Sequence, residues 1–377
     1  MKIAITGPHY WPYRRRGSAA YIYNLSKHLA DAGHTVEVVT GKPGRSRTVT
    51  DGHVKIHYLH YLINPLLNNF NVDRVHMFTA NCFLHFMKNK YDVIHCMYHA
   101  DGYALSRLRK IRKIRYVQLI PTVPFDFHWK HSSIDPYMFD RALKGSDMRI
   151  APSLYAQRYM IENSNIRSEM IPCGVDMEHF RPCSKKNMNI PRILCTAALH
   201  DDRKRIPLLL KAFEMLLKEG MPAILQLAGE TTRDTDRYLC SLVSHDVLKS
   251  VQILPAVTYK ELPEYYSAAS ATVLSSVCET FGMTMIESLA CGTPVVGTNS
   301  GAIPEVINSP YIGNLFENDD NESVSVLNLY RALKSTLELA GKPDTEMLCR
   351  QHASQYDWKK VVKQMISLYE RAASGTS

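Results

Sequence analysis

No stretch of this 377-residue sequence is long and apolar enough to cross a membrane. A spanning helix needs about 20 consecutive apolar residues, and no run here approaches that length. The first residues, MKIAITGPHYWPY, read as a short buried strand and lack the charged-then-apolar layout of a signal peptide. These absences predict a cytoplasmic protein, and the chain is long enough for two domains with full cores.

Paired cysteines and metal-binding spacings are also missing. The nine cysteines are scattered, with no C-x-x-C pair and no His/Cys spacing suited to zinc. We therefore expect reduced thiols, with Cys195, Cys240 and Cys291 in the core. We expect neither a bound metal nor another cofactor.

The most informative stretch runs from Cys278 to Thr298, CETFGMTMIESLACGTPVVGT. Its polar turn ends in Gly282, where the backbone can approach a ligand closely. Met283 to Ala290 predicts a helix, Gly292 its left-handed cap, and Thr293 to Val296 a buried strand. A helix that opens on a glycine turn presents free N–H groups and the positive end of its dipole, which together favour an anion.

Two glutamates flank this anion site. Glu279 precedes the helix and Glu287 lies inside it, roughly 6 Å along the axis at the helical rise. A nucleoside diphosphate-sugar has the same order of parts, so Glu279 would meet the sugar hydroxyls and Glu287 the ribose. The pair alone also fits an amphipathic helix with two solvated glutamates, and the surrounding residues must decide between the two interpretations.

The surrounding residues resemble the Glu-x7-Glu signature of the retaining glycosyltransferases of family 4. That family typically reads E-G-F-G-x-x-x-x-E-A-M-A-C-G-x-P-V-V followed by G-G-x-x-E, and Thr280 and Ala302 each replace a glycine here. The residues that match are Glu279, Phe281, Gly282, Glu287, Ala290, Cys291, Gly292, Pro294, Val295, Val296, Gly301 and Glu305. The resemblance implies the α/β GT-B fold, in which two Rossmann-like domains face each other across a cleft.

The resemblance extends along the chain and implies how it is divided. Residues 1-182 would form an acceptor-side domain, 183-191 a linker, 192-356 the nucleotide-sugar domain, and 357-377 a final helix that crosses back to the first domain. The opening strand, loop, helix and strand, in which Gly17 leads into the helix, are typical of a doubly wound sheet.

The donor site is expected on the second domain. Arg203 and Lys204 match the family's basic pair on the diphosphate, but Ala198 stands where a further family arginine is usual. Arg205, or the run Arg14 to Arg16 from across the cleft, would offset that loss. The expected catalytic residues are Glu279, Arg203 and Lys204, and the expected donor-binding residues are Gly17, Phe281, Gly282, Met283, Thr284 and Glu287.

The acceptor side has weaker signals. His99 and Asp101 follow one predicted strand, and Thr122 and His128 follow the next, so all four are acceptor-side candidates. In many relatives a histidine ends the second of these strands, and Pro121 or Thr122 holds that place here. A purely structural role explains His99 and Asp101 as well.

A basic segment at residues 106-115 carries six cationic side chains and no acid. Apolar residues recur every three positions, which predicts an amphipathic helix. They are Leu105, Leu108, Ile111 and Ile114. Such a helix either packs its apolar stripe on the sheet or meets an anionic membrane as a peripheral contact.

The resemblance implies a retaining transferase that moves a sugar from a nucleotide-diphosphate sugar, UDP- or GDP-linked, to an unidentified saccharide, lipid-linked or small-molecule acceptor. The net charge of +9 suits such a donor or an anionic membrane, and no nucleic-acid motif accompanies it. Two alternatives remain open. One is a catalytically silent nucleotide-sugar-binding partner of another transferase, and the other is a GT-B epimerase or phosphorylase.

Overall fold

The chain divides into two compact units. A computed structural model describes residues 1-10, 17-61, 74-123, 134-184, 186-254 and 257-375. Unit 1 consists of Met1–Gly174 and Trp358–Ser377, and unit 2 of Val175–Asp357. Each unit has helices packed on a largely parallel sheet, which confirms the predicted α/β class.

Unit 1 is built on an eight-stranded sheet in the order β3-β4-β2-β1-β5-β6-β7-β8, in which only β3 runs antiparallel to its neighbour. Its strands are β1 (Lys2–Gly7), β2 (Thr35–Pro43), β3 (Arg47–Asp51), β4 (Val54–Tyr61), β5 (Val93–Cys96), β6 (Tyr116–Leu119), β7 (Met148–Ala151) and β8 (Glu169–Met170). Its helices are α1 (Gly17–Asp31), α2 (Arg74–Lys88), α3 (His99–Leu108), α4 (Ile134–Gly145), α5 (Leu154–Ser164) and α14 (Trp358–Ser374). The central strands are buried apolar runs, as parallel strands covered on both faces require.

Unit 2 has a six-stranded parallel sheet in the order β11-β10-β9-β12-β13-β14. Its strands are β9 (Arg192–Thr196), β10 (Ile224–Ala228), β11 (Val251–Leu254), β12 (Ala271–Leu274), β13 (Val295–Thr298) and β14 (Gly313–Phe316). Its helices are α6 (Ile206–Lys218), α7 (Arg233–Ser241), α8 (His245–Leu248), α9 (Leu262–Ala268), α10 (Met283–Ala290), α11 (Ile303–Val306), α12 (Glu322–Ala340) and α13 (Thr345–Ala353), with short 3₁₀ turns at Asp202–Lys204 and Ser354–Tyr356.

The order of the strands in unit 2 reverses between β9 and β12. The chain moves outward from β9 to β10 and β11, then returns to the other side of β9 and continues to β13 and β14. In open parallel sheets, ligands bind beyond the carboxyl ends of the strands at such a reversal. The loops after β9 and β12 are therefore where a ligand site is expected in unit 2.

The final helix, α14, belongs to unit 1. Trp358 is fully buried at its start, with its ring 5.4 Å from that of Tyr21 on α1. Further along, the Tyr369 hydroxyl lies 2.8 Å from Nδ1 of His95 on β5. A side chain at Gly174 would collide with the Trp358 ring, 2.3 Å away, so the glycine lets this helix pack closely.

The boundary between the units lies earlier than the sequence suggested. The expected first domain ended at residue 182 and a linker covered 183-191, but the chain passes into unit 2 after Gly174. The residues that follow Gly174 pack against other residues of unit 2 and do not form a separate linker. The Phe180 ring is buried beside Tyr266, and the backbone N–H of Cys183 donates to Ser267.

The prediction of a basic helix over residues 106-115 is wrong. Helix α3 ends at Leu108, and a turn leads from there to β6. Arg109 and Arg115 both bind the Asp147 carboxylate at 2.8 Å, and Arg112 donates to the carbonyl of Phe86. Asp147, which is distant in sequence, thus neutralises two arginines that have no acidic neighbour in their own segment. The membrane contact was expected from a continuous basic helix face, and that face does not form.

The structure also bears on the expected burial of three cysteines and on the expected lack of a membrane-spanning segment. Cys195 and Cys291 are buried as expected, but Cys240 on α7 is exposed. Among the helices that the structure describes, none combines the length and apolar character that crossing a bilayer requires.

Candidate active site

The glycine turn and helix of the central stretch form as the sequence predicts. Gly282 precedes α10 with φ of 100°, a left-handed conformation that favours glycine, and no side chain caps the helix there. Met283 and Thr284 follow in the first turn, both half-buried. The N–H of Met285 donates to the Gly282 carbonyl at 3.0 Å, and the N–H groups of Met283 and Thr284 lie at the positive end of the helix dipole.

The far end of α10 is fixed by its cap and by two cations. Gly292 adopts φ of 76°, and the N–H of Thr293 donates to the Ser288 carbonyl at 3.0 Å, as in a Schellman cap. Lys186 donates to the carbonyl of Gly292 at 2.7 Å, and Arg350 donates to that of Ala290. Cations at a helix C-terminus stabilise it, so both side chains contribute to the stability of α10.

The loops at the strand reversal bring Lys204 and Glu279 together. Lys204 Nζ, after β9, lies 2.5 Å from Glu279 Oε1, after β12, and both side chains are about one-fifth exposed, at 21% and 20%. Two hydrogen bonds to backbone carbonyls also join the two loops. Val277 N–H donates to the Arg203 carbonyl at 2.8 Å, and the Ser275 hydroxyl donates to that of Lys204 at 2.7 Å.

The turn that carries Glu279 is held on its other side by the loop after β13. The N–H of Ala302 donates to the Glu279 carbonyl at 2.9 Å. A Cβ at Gly301 would lie 2.6 Å from the same carbonyl oxygen, so this glycine permits the close approach. These contacts hold the backbone of Glu279 in place without a ligand.

Arg203 binds an acid of its own loop. Its guanidinium binds both carboxylate oxygens of Asp201, at 2.9 Å and 2.6 Å. Burial raises the pKa of Asp201, but the hydrogen bonds and charge of Arg203 outweigh burial and lower it. Arg205, the other candidate cation, adopts the left-handed φ of 51° and donates to Asn318. The hydrogen bond from Arg203 to Asp201 raises the pKa of Arg203, and the charge of Glu279 adds to that rise. The roles expected of both arginines on the diphosphate stay predictions.

Glu287 is buried rather than solvated. The residue is 7% exposed, and its Oε2 accepts a hydrogen bond from the Tyr266 hydroxyl at 3.0 Å. That hydroxyl also lies 3.0 Å from Thr196 Oγ1. Burial raises the pKa of Glu287 to about 7, and the hydrogen bond from Tyr266 limits the rise. The interpretation of the glutamate pair as two solvated side chains therefore fails for Glu287.

Phe281 contributes packing to the site. It is 7% exposed, and its ring meets that of Tyr356 edge-on at 5.6 Å. An aromatic side chain so enclosed anchors the turn between Glu279 and α10. Any contact with a donor at this position would come from its backbone.

The acceptor-side candidates in unit 1 have separate environments. His99 opens α3, and its Nε2 lies 3.3 Å from Asp135 Oδ1 on α4. The Thr122 hydroxyl donates to the Val123 carbonyl at 3.3 Å. Gly17, which was expected to bind the donor, is the exposed first residue of α1, and that role stays a prediction. His128 lies outside the described residues, as do Arg14 to Arg16.

Asp101 is a structural residue, which corrects its expected role. It is fully buried, and its carboxylate accepts hydrogen bonds from the N–H groups of Met97, at 3.2 Å, and Tyr98, at 3.0 Å. This is the third-position half of a capping box at the start of α3. The side chain is committed to its own helix and is not available to an acceptor.

Several residues of the site were not found from the sequence. Tyr266, Thr196, Asp201 and Ser275 hold the charged groups but belong to no motif that names them. The sequence pair Tyr265-Tyr266 could have indicated the buried tyrosine, because adjacent side chains on a helix point in different directions and one of them can turn toward the core. Among the residues that the structure describes, no three His, Cys, Asp or Glu side chains are grouped so as to hold a metal ion, and the expected independence of cofactors remains a prediction.

Two family models match adjoining parts of the chain. The model described as Glycosyltransferase Family 4 matches residues 15-179, and the model described as Glycosyl transferases group 1 matches residues 176-340. Their meeting point, at residues 176-179, lies just after the boundary between the two units.

Curated relatives and a solved structure agree with these matches. The chain is 25% identical over 347 residues to a D-inositol 3-phosphate glycosyltransferase of Pseudarthrobacter chlorophenolicus, which covers 81% of each protein. It is 27% identical over 222 residues to D-inositol 3-phosphate glycosyltransferase 1 of Catenulispora acidiphila, covering 54% of this chain and 51% of the relative. The chain spans about half the length of several of the curated relatives it matches. The fold is similar to that of a sucrose-phosphate synthase from Thermosynechococcus elongatus, with a TM-score of 0.85, 21% identity and full coverage of both chains.

Proposed function

We propose that this chain, a family 4-like glycosyltransferase of the GT-B fold, transfers a sugar, with retention of anomeric configuration, from a UDP- or GDP-linked donor. The observation that carries the proposal is the Lys204–Glu279 pair at the strand reversal of unit 2, beside the opening of α10. A cation, an anion and a helix N-terminus at one point match the diphosphate and sugar of such a donor.

Each charged group has one role in this proposal. Cleavage of the sugar–phosphate bond builds negative charge on the diphosphate, which Lys204 and the first N–H groups of α10 stabilise. Positive charge develops on the sugar ring, and Glu279 stabilises it while binding the sugar hydroxyls. Glu287 binds the ribose hydroxyls. Arg203 supplies further positive charge to the loop that meets the diphosphate.

Donor binding must exchange the partners of the ion pair. Lys204 is bound to Glu279 at 2.5 Å. When a diphosphate reaches Lys204, the ammonium gains a second anion and Glu279 is released toward the sugar. The departing phosphate oxygen takes the acceptor proton in this scheme, so the protein needs no separate base.

The acceptor remains the least specified part of the proposal. A saccharide, a lipid-linked sugar and a small-molecule aglycone all stay open. Some curated relatives are named for inositol 3-phosphate, so small polyol phosphates belong among the acceptors to be tested. The His99–Asp135 pair and Thr122 in unit 1 are the candidate acceptor contacts.

A screen of donors with product detection tests the proposal. UDP- and GDP-sugars are incubated with a panel of saccharides, polyols and polyol phosphates, and products are identified by mass spectrometry and by proton NMR of the new anomeric centre. We expect a transfer product with the donor's anomeric configuration. An inverted product, an epimerised donor, or phosphorolysis would each contradict the proposal.

Binding without turnover would favour the second interpretation, a silent nucleotide-sugar-binding partner of another transferase. The same screen with the Glu279→Gln variant is the control, because a contaminating transferase would be unaffected by the substitution.

A further inference from the structure

A buried tyrosine connects the candidate ribose-binding glutamate to the core of unit 2. Tyr266 lies on α9 and is completely buried, with its ring edge-on to Phe180 at 6.0 Å. A buried tyrosine hydroxyl requires a polar partner. This one has two, Glu287 Oε2 and Thr196 Oγ1, each at 3.0 Å.

The chemistry of the three groups gives these hydrogen bonds a direction. An ionised carboxylate only accepts, so the single hydroxyl hydrogen of Tyr266 goes to Glu287. The Tyr266 oxygen then accepts from the Thr196 hydroxyl. The result is a directed chain from the end of β9 through α9 to α10, in which each hydrogen bond polarises the next.

The two oxygens of Glu287 are consequently different. Oε2 is occupied by Tyr266. Oε1 has no donor among the described residues and is not one of the buried polar atoms without a partner, so it keeps contact with solvent. The residue is 7% exposed overall, which leaves Oε1 as the oxygen open to a ligand.

We propose that Tyr266 is a positioning residue of the donor site: by holding Glu287 Oε2, it presents Oε1 to the ribose hydroxyls of a nucleoside diphosphate. This inference rests on the role given to Glu287 under the proposed function. Thr196 supports it by orienting the Tyr266 hydroxyl. Tyr266 touches no part of the donor and acts only through Glu287.

The position of Tyr266 also controls when Glu287 is ionised. Burial raises the pKa of Glu287 to about 7, and the hydrogen bond from Tyr266 opposes that rise. Ribose hydroxyls donate to the ionised carboxylate, so nucleotide affinity should increase as pH rises through about 7. Removal of the Tyr266 hydroxyl should raise the pKa further and move this increase to higher pH.

The other titratable and charged groups near Glu287 are unsuited to cause such a shift. The pKa of Tyr266 itself is raised well above its usual value, and burial raises that of Cys291 to about 12. Arg350 donates to the Ala290 carbonyl and Lys186 to that of Gly292, at the opposite end of α10. A pH-dependent affinity that responds to Tyr266 therefore reports on Glu287.

The test is the binding of UDP and of GDP to the full-length protein, by calorimetry, from about pH 5.5 to about pH 8.5. Tyr266→Phe keeps the ring and removes the hydroxyl. We expect the affinity to fall about tenfold near neutral pH, with the midpoint of the pH dependence moved upward. Thr196→Val should give a smaller change in the same direction, and Thr196→Ser should restore wild-type behaviour.

A matched control is Tyr330→Phe. Tyr330 is also buried in unit 2, but its hydroxyl interacts with Glu219 and with Lys334 on the same helix. This variant should bind as the wild type does. Unchanged affinity and an unchanged pH profile in Tyr266→Phe would overturn the inference. An equal loss at every pH, with no shift in midpoint, would also overturn it, because a packing role predicts that result.

The proposed function fails separately, if the wild type binds neither UDP nor GDP. The link between Tyr266 and Glu287 is then still decided by melting temperatures measured against pH without nucleotide. Tyr266→Phe should alter the pH dependence of melting in the wild-type background but not in a Glu287→Gln background. The same alteration in both backgrounds would show that Tyr266 does not act through Glu287.

Discussion

Lys204 and Glu279 are 75 positions apart in the sequence, and their charged atoms lie 2.5 Å apart in the fold. One follows β9 and the other follows β12, the two neighbouring strands between which the sheet order reverses. The Val277 N–H and the Ser275 hydroxyl each donate to a backbone carbonyl of the loop after β9 and hold the two loops together. The pair is thus a product of the topology and lies where open parallel sheets bind ligands.

Glu279→Gln should separate catalysis from nucleotide binding. The variant loses the charge that stabilises the sugar, so kcat should fall by about a hundredfold or more. The nucleoside diphosphate lacks the sugar, and Lys204 loses its competing anion, so UDP or GDP should bind as well as to the wild type or slightly more tightly. Parallel kinetics and calorimetry check this. If the binding of the sugar donor and that of the nucleoside diphosphate were weakened equally, Glu279 would be a scaffold residue.

Lys204→Met should weaken the binding of the nucleoside diphosphate itself. A hydrogen bond to a charged group contributes about 1.5–3 kcal/mol, which corresponds to roughly a ten- to hundredfold loss of affinity. Lys211→Met is the matched control, because Lys211 pairs with Glu322 at 3.0 Å on the exposed surface of unit 2. If both variants bound UDP and GDP with wild-type affinity, Lys204 would have no role on the diphosphate.

Glu287→Gln should increase stability in alkaline but not in acidic solution. The pKa of Glu287 in the folded protein is raised to about 7, above its usual 4.5, so the stability that the neutral carboxyl contributes is complete below about pH 4.5 and is lost as pH rises through about 7. Glutamine is neutral at every pH and can still accept from Tyr266. We expect similar melting temperatures near pH 5 and a more stable variant near pH 8, by on the order of 1–2 kcal/mol.

Thermal melts of the two proteins without nucleotide check this prediction. A difference that is the same at both pH values, or that is larger at the acidic one, would show that Glu287 is not the group that titrates. Nucleotide affinity of the variant should fall at the same time, which is the usual exchange of stability for function at a binding site.

Asp101→Asn should lower the free energy of unfolding and leave the KM for the acceptor unchanged. The carboxylate accepts from two backbone N–H groups at the start of α3. Weakening this cap should cost about 1 kcal/mol of unfolding free energy. The exposed Asp31→Asn is the control and should be neutral. A raised acceptor KM in folded Asp101→Asn protein would restore the acceptor role that the structure argues against.

The central helix could be predicted because its signals are local. A glycine, a run of good helix formers and a second glycine predicted Met283–Ala290, and the structure has those bounds with Gly292 at φ of 76°. The alternation of strands and helices likewise predicted two parallel-sheet units. Such patterns depend on neighbouring residues only.

Features that depend on distant residues could not be predicted. Nothing near Arg109 and Arg115 indicates that Asp147 binds both, so residues 106-115 read as a free basic helix. Tyr266 reaches Glu287 only once α9 packs against α10. Asp101 is a different case: its place at the third position of a helix is a capping signal, and it favours the structural role over the acceptor role, both of which the sequence left open.

The most direct test of the account is a crystal structure of the protein with the nucleoside diphosphate, UDP or GDP, that calorimetry shows to bind. The account predicts the diphosphate at Lys204 and the first N–H groups of α10, and the ribose hydroxyls on Glu287 Oε1 while Tyr266 keeps Oε2. A nucleotide bound elsewhere, or one in this place whose ribose does not contact Glu287, would contradict it.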